Sequence, residues 1–280
     1  MNALELKNVR KSFHGFSLED INLTLPSGCI MGLIGENGAG KSTTIKLILD
    51  MLHKDSGTIT ILGKDNKKNI SLIKEDIGVV MDEVGFPECL TAKQIGKVMR
   101  YTFKNWNGAE YDRLLQKLSL PDRKPFKDFS RGMKMKLGIA IAMSHGAKLL
   151  LLDEPTSGLD PVVRDEVVEM FYNFTRDEEH SILISSHIVS DLERLCDYIA
   201  FLHKGKLLLC EEKDVLLSEY GILHCTVEQL SELDKNVIKY KKETPYGAEA
   251  IVSRREAPDG FKLSPISIEE LFVFMVKEAR

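Results

Sequence analysis

No apolar run in the 280-residue sequence approaches the ~18 residues needed to cross a bilayer as a helix, so no segment reads as membrane-spanning. A signal-peptide layout is also missing: Met-Asn-Ala-Leu-Glu-Leu-Lys enters a strand pattern at once, and the chain reads as cytosolic. Any membrane association would then come from another polypeptide. The five cysteines (Cys29, Cys89, Cys196, Cys210 and Cys225) are odd in number, dispersed and without a C-x-x-C pair. Reduced thiols fit that pattern better than disulfides or a cysteine metal site. There is no basic excess; the net charge of −4 argues against wholesale wrapping of nucleic acid. Repeats and low-complexity tracts are lacking too. Apolar residues are plentiful at 43%, enough to core one large domain with small appendages.

The most informative stretch is Gly35-Glu36-Asn37-Gly38-Ala39-Gly40-Lys41-Ser42-Thr43, directly after the apolar run Cys29 to Ile34. It matches G-x-x-x-x-G-K-[ST], the P-loop pattern. The apolar run predicts a buried strand, and Thr43 to Leu52 a helix with Ile45, Ile48, Leu49 and Leu52 on one face. A glycine-rich turn between them lets backbone N–H groups converge on an anion, and the helix N-terminus adds its dipole. Lys41 supplies a mobile charge for β- and γ-phosphates, and the Ser42 hydroxyl is a candidate Mg²⁺ ligand. The stretch therefore points to a nucleoside triphosphate.

Residues 3–9 and 16–25 alternate apolar and polar as antiparallel strands do, and Thr58 to Leu62 and Ile77 to Met81 predict further strands. Lys64 to Lys68 reads as a solvated loop. Residues 91–146 read as mostly helical, with a capping box at Thr91-Ala92-Lys93-Gln94, a helix face of Leu114, Leu115 and Leu118, and a third helix behind Ser130. Lys148 to Asp153 and Ser181 to Ser185 read as central parallel strands, apolar on both faces. Asp160-Pro161 opens another helix. Val189, Leu192 and Leu195 mark the next, and a hairpin turns at Lys204-Gly205. Beyond residue 219 the pattern weakens, with turns at Pro245-Tyr246-Gly247 and Pro258-Asp259-Gly260 and a final apolar helix after Ser267. The expected fold is α/β: a core with a mixed, largely parallel sheet, an antiparallel β subdomain, a helical insert at about 88–146, and a small α+β appendage over 219–280.

An apolar strand ending in Asp153-Glu154 near a P-loop suits a carboxylate that orders Mg²⁺ beside a base for the attacking water. The sequence continues Pro155-Thr156-Ser157-Gly158-Leu159-Asp160, and upstream stands Phe129-Ser130-Arg131-Gly132-Met133. With these segments, residues 3–215 resemble the ATP-binding cassette (ABC) ATPases, specifically the nucleotide-binding subunits of ABC transporters, with five motifs in the family order. The resemblance implies that Gly35 to Thr43 is the Walker A loop, Asp153 the Walker B acid and Glu154 the general base. It implies that Ser130, Arg131 and Gly132 form the signature loop and that Ser157 to Asp160 is the D-loop. His187 corresponds to the switch histidine at the γ-phosphate, and Phe13 to an aromatic that stacks on adenine; a core position is the alternative for Phe13. ATP and Mg²⁺ are the implied cofactors. A second nucleotide-binding subunit, in a homodimer rather than a heterodimer, and a transmembrane permease are the implied partners.

Three departures from the family pattern stand out. Arg131 replaces the first glycine of the signature and Met133 its glutamine, while Asp82 stands where the Q-loop has Gln. Asp can still ligate Mg²⁺ but donates no hydrogen bond; the alternative is an exposed loop residue. Phe86 reads either as an exposed anchor for a permease or as packed under its own loop. The signature variant and the short appendage resemble exporter cassettes of the drug, peptide and bacteriocin kind. A soluble ABC ATPase acting on DNA or ribosomes is the competing reading. The stretch from Lys41 to Ser130 carries no sustained heptads of the sort DNA-repair relatives insert, and the chain holds one cassette rather than two.

Overall fold

The computed structural model describes residues 1–233, 237–244, 247–257 and 261–278. Its first ten strands are β1 (Asn2–Phe13), β2 (Phe16–Pro26), β3 (Ile30–Ile34), β4 (Ser56–Ile61), β5 (Lys64–Asp65), β6 (Ile77–Val80), β7 (Leu149–Asp153), β8 (Ser181–Ser186), β9 (Tyr198–His203) and β10 (Lys206–Glu212). They form one sheet in the order β5-β4-β1-β2-β10-β9-β3-β8-β7-β6. The half containing β9, β3, β8, β7 and β6 is parallel; β5, β4, β1 and β2 are antiparallel. The halves are joined through β2 and β10, where Glu19 pairs with Lys206. Strands β3, β7 and β8 are buried at every residue, which is why their middles read as apolar runs.

The parallel register decides where chemistry can occur. Ile34 pairs with Ser186, Asp153 with Ser185, and Val80 with Leu152. The segments leaving β3, β6, β7 and β8 therefore emerge at one carboxyl edge, where open α/β sheets bind their ligands.

Three helices form the insert: Ala92–Thr102, Gly108–Lys117 and Arg131–Ala142. The first begins at the expected Thr91/Gln94 capping box, and Ser130 caps the third through its hydroxyl, which accepts from Met133 N. Gly96 allows the first two helices to meet: a Cβ there would lie 2.4 Å from Tyr111 Cε1, and the Tyr111 hydroxyl donates to Ala92 O. Phe86 is half-buried and meets Phe126 edge-on at 5.6 Å, so it packs against the turn ahead of the third helix rather than standing free.

Two expectations need correction. Lys64 to Lys68 is no solvated loop: β5 occupies its start, and Asn66 is 1% exposed. The Asn66 amide donates to Leu47 O and Ile48 O, satisfying carbonyls at the end of helix Lys41–Ile48. That helix starts two residues earlier and ends four earlier than the apolar spacing predicts.

The last segment contains β11 (Tyr220–Cys225), β12 (Ile238–Thr244), β13 (Gly247–Ser253) and β14 (Leu263–Ser264), in the order β12-β13-β11-β14. It has a small core of its own around Leu223, Ala250 and Val252. Its final helix, Ile268–Glu278, returns to the main core through Ile268, Leu271 and Phe274, with Phe272 5.2 Å from Phe201. Of the two expected turns here, Pro245-Tyr246 and Pro258-Asp259-Gly260 lie outside the described residues.

All five cysteines are free thiols. Burial pushes the Cys196 thiol pKa up, while Cys89 is exposed. Because the thiolate is the reactive form, a maleimide should label Cys89 in the native chain and reach Cys196 only after denaturation; peptide mass mapping reads the order.

Candidate functional site

The loop from Gly35 to Gly40 is shaped by its glycines. Gly38 and Gly40 have φ of +80° and +113°, the left-handed region open to glycine. A Cβ on Gly40 would lie 2.6 Å from Leu18 Cδ2. Helix Lys41–Ile48 then begins with no side-chain cap at Gly40, leaving its first amides aimed out of the loop. Ala39 is buried beneath the loop, Ser42 and Thr43 are half-buried, and Glu36, Asn37 and Gly38 are exposed. Lys41, 6% exposed, donates to Gly35 O at 2.7 Å and lies 3.4 Å from Glu36 O. The loop thus closes on itself through Ala39 N–H, which donates to Glu36 O, and through the Lys41 ammonium, which donates to Gly35 O.

Asp153 ends β7 almost fully buried, and its Oδ1 accepts from the Ser185 hydroxyl at 2.5 Å. Glu154 follows with φ of +53°, a conformation rare outside glycine, secured by its N–H donating to Ser185 O. Such backbone is kept where neighbours over-determine it. It aims the carboxylate sideways into the site: Oε2 lies 2.6 Å from His187 Nδ1, and Oε1 lies 3.4 Å from Lys41 Nζ. Lys41, Glu154 and His187 are therefore one connected chain of charged and polar groups.

Phe13 is 43% exposed, so it is not a core residue. Its ring stacks 6.3 Å from Phe16 with Lys11 Nζ above it, and with Gly38 and Lys204 it lines an open cleft of about 590 Å³ beside the loop. Asp160 caps helix Pro161–Phe174 through Val163 N. Ser130 and Arg131 are exposed and Gly132 is half-buried. Gly132 approaches Gly158, where a Cβ would meet the carbonyl oxygen at 3.3 Å. Arg131 pairs with Asp82 and lies 3.4 Å from the Ser157 hydroxyl. The structure thus brings Lys41, Asp153, Glu154 and His187 together at the loop, and gathers Arg131, Asp82 and Ser157 into a second cluster.

Sequence reasoning missed two residues. Ser185 orients Asp153, but that contact depends on β7 and β8 being neighbours, which the linear sequence does not state. His203 is 3% exposed, with Nδ1 3.2 Å from Glu36 Oε2 but no aligned hydrogen bond. The only signal for it was a histidine ending an apolar strand ahead of the Lys204-Gly205 turn.

The fold and this loop–helix junction define a P-loop ATPase. The family model described as ABC transporter matches residues 18–157. The lantibiotic transport ATP-binding protein SrtF of Streptococcus pyogenes is 37% identical over 85% of this chain and 99% of its own length. The bacitracin transport ATP-binding protein BcrA of Enterococcus faecalis is 33% identical over 83% of this chain and 74% of its own. Among solved structures, an ATP-binding subunit of an ABC transporter is 29% identical, with a TM-score of 0.68 over 76% of this chain and 91% of that one. The chain belongs to the ABC transporter family, as an ATP-binding subunit with ATPase activity. Among the described residues, no helix is long and apolar enough to cross a membrane.

Proposed function

We propose that this chain works as one of two identical ATP-driven clamps beneath a transmembrane permease, powering export of a peptide-like compound. The observation that carries the reading is the division of the site into two clusters. The loop, Asp153, Glu154 and His187 share one sheet edge, while Ser130, Arg131 and Gly132 sit on the helical insert, engaged with Asp82 and the D-loop. A second chain placed head-to-tail would bring its Ser130 hydroxyl and helix N-terminus to the phosphates of the first. SrtF and BcrA, named for lantibiotic and bacitracin transport, support a peptide-like cargo.

Within each half-site the amides of Gly35 to Thr43 cradle the phosphates, and Lys41 swings from Gly35 O to the β- and γ-oxygens. Phe13 offers its exposed face to adenine. Glu154 accepts the proton of the attacking water. With Nδ1 held by Glu154, the His187 ring is oriented to turn Nε2 toward charge developing on the γ-phosphate. Asp160 fixes the helix that follows the D-loop.

The donor set fits Mg²⁺: a hydroxyl, Ser42, and a buried carboxylate, Asp153, whose recorded partner is one serine hydroxyl. Both are hard oxygen ligands, and Mg²⁺ completes its shell with phosphates and water rather than an all-protein cage. When bound, the ion neutralises charge between the β- and γ-phosphates. Asp82, the third expected ligand, is engaged by Arg131 instead.

Purification from membranes tests the assignment: an integral membrane protein should co-elute with the chain, whereas a tight RNA or DNA complex without one would overturn it. The clamp has its own signature. A Ser130→Arg chain mixed equally with a Lys41→Met chain should recover roughly a quarter of the parent activity, because random pairing makes about half the dimers mixed and one of the two composite sites in each then pairs an intact loop with an intact Ser130. Full inactivity of the mixture, with both chains folded, would refute a shared site.

A further inference from the structure

The two charged departures from the family pattern, Asp82 and Arg131, meet in the folded chain: an Arg131 guanidinium nitrogen donates to Asp82 Oδ1. We propose that Asp82 is a positioning residue whose carboxylate holds Arg131 in the nucleotide-free chain, and that Arg131 exchanges this carboxylate for the triphosphate of a partner chain when the clamp closes. The proposal rests on the clamp reading above and names the contact that closure must break.

Arg131 is fixed from three sides. Its stem lies on the D-loop, since a Cβ at Gly158 would sit 3.5 Å from Arg131 Cδ, and its head lies 3.4 Å from Ser157 Oγ. The third contact is Asp82, two residues beyond the end of β6. The segment carrying Asp82 is itself seated on the signature helix, where a Cβ at Gly138 would meet Val84 Cγ2 at 3.1 Å. Asp82, Arg131 and Lys134 share the lining of one open cleft of about 600 Å³. Lys134 lies over the Phe126 ring at 4.9 Å, which leaves Arg131 as the cation that answers Asp82.

The pair suits exchange rather than permanent bonding. Its side chains are 59% and 45% exposed, and half-exposed pairs are weak and screened by salt. A triphosphate carries more charge than one carboxylate and can accept a planar fork of donors, where Asp82 receives one guanidinium nitrogen. The pair also ties the segment after β6 to the start of the signature helix, alongside the Val84 contact at Gly138.

The test uses the Glu154→Gln chain and the ATP–Mg²⁺ concentration that gives half-maximal dimer in sedimentation. Asp82→Asn should lower that concentration about two- to fivefold, because Arg131 is freed while its charge is kept. Arg131→Gln should raise it. The charge swap Asp82→Arg/Arg131→Asp rebuilds the pair but removes the phosphate-binding charge, and should raise it further. An unchanged or raised value for Asp82→Asn overturns the proposal, and a raised Mg²⁺ requirement would place Asp82 on the metal instead. Amide hydrogen exchange over 130–136 in the ATP-free chain reads the pair without any dimer. It should quicken in Asp82→Asn and return to the parent rate in the swap. Equal rates in all variants refute the pair even if the parent dimerises, while failure of the parent to dimerise counts against the clamp alone.

Discussion

Glu154→Gln is expected to bind ATP at least as tightly as the parent while hydrolysing it about 10²–10⁴-fold more slowly. The substitution keeps the shape of a side chain held in a left-handed backbone and wedged between Lys41 and His187. It removes the one property that matters for the proposed role: an amide cannot take a proton from water at neutral pH. Binding should not suffer, since it removes a negative charge 3.4 Å from Lys41, in a pocket meant for a polyanion. Steady-state phosphate release and equilibrium titration with ATP separate the two effects. A loss of hydrolysis under tenfold would remove Glu154 from the base role.

Lys41→Met is expected to act at the binding step. Its ammonium is nearly buried and makes a 2.7 Å bond to Gly35 O. In the proposed complex the ammonium pairs with the phosphates, and removing one partner of such a buried charge pair costs about 2–5 kcal/mol, so ATP affinity should fall about 30-fold or more. The methionine stem preserves the packing under the loop, and the freed carbonyl can turn to water, so thermal stability should change little. Calorimetric titration with ATP, alongside a melting curve, reads both quantities. Affinity within threefold of the parent would mean that the loop amides and helix dipole bind phosphate without the lysine.

The sequence made legible whatever depends on near neighbours in the chain. The caps at Thr91, Ser130 and Asp160 appear where their residue types demand them, because a cap is a contact across three residues. The buried strands β3, β7 and β8 were readable because burial on both faces leaves apolar residues through their middles, with polar residues only at the ends of β7 and β8. Contacts set by strand order were not readable. The Ser185 bond to Asp153 joins residues 32 apart in the chain, and the Arg131–Asp82 pair residues 49 apart. Asn66 looked solvated because its role, bonding the carbonyls of Leu47 and Ile48, depends on a return of the chain across β4. The last helix looked like part of an appendage because its apolar face, read alone, does not say which core it joins.

These differences bear on function unevenly. Lys41, Glu154 and His187 were each visible in the sequence, but their junction through the Glu154 carboxylate was not. Glu154 ties the cation of the loop to the histidine after β8, so the nucleotide-free site already has its acid–base groups in contact. Phosphates entering the loop would draw Lys41 away and leave Glu154 to the water.

The central claim is that ATP joins two of these chains. Sedimentation of the Glu154→Gln chain with and without ATP–Mg²⁺ tests it most directly. A species of twice the 31.6-kDa chain mass is predicted with ATP and the single-chain mass without it; a single-chain mass at saturating ATP would contradict the account.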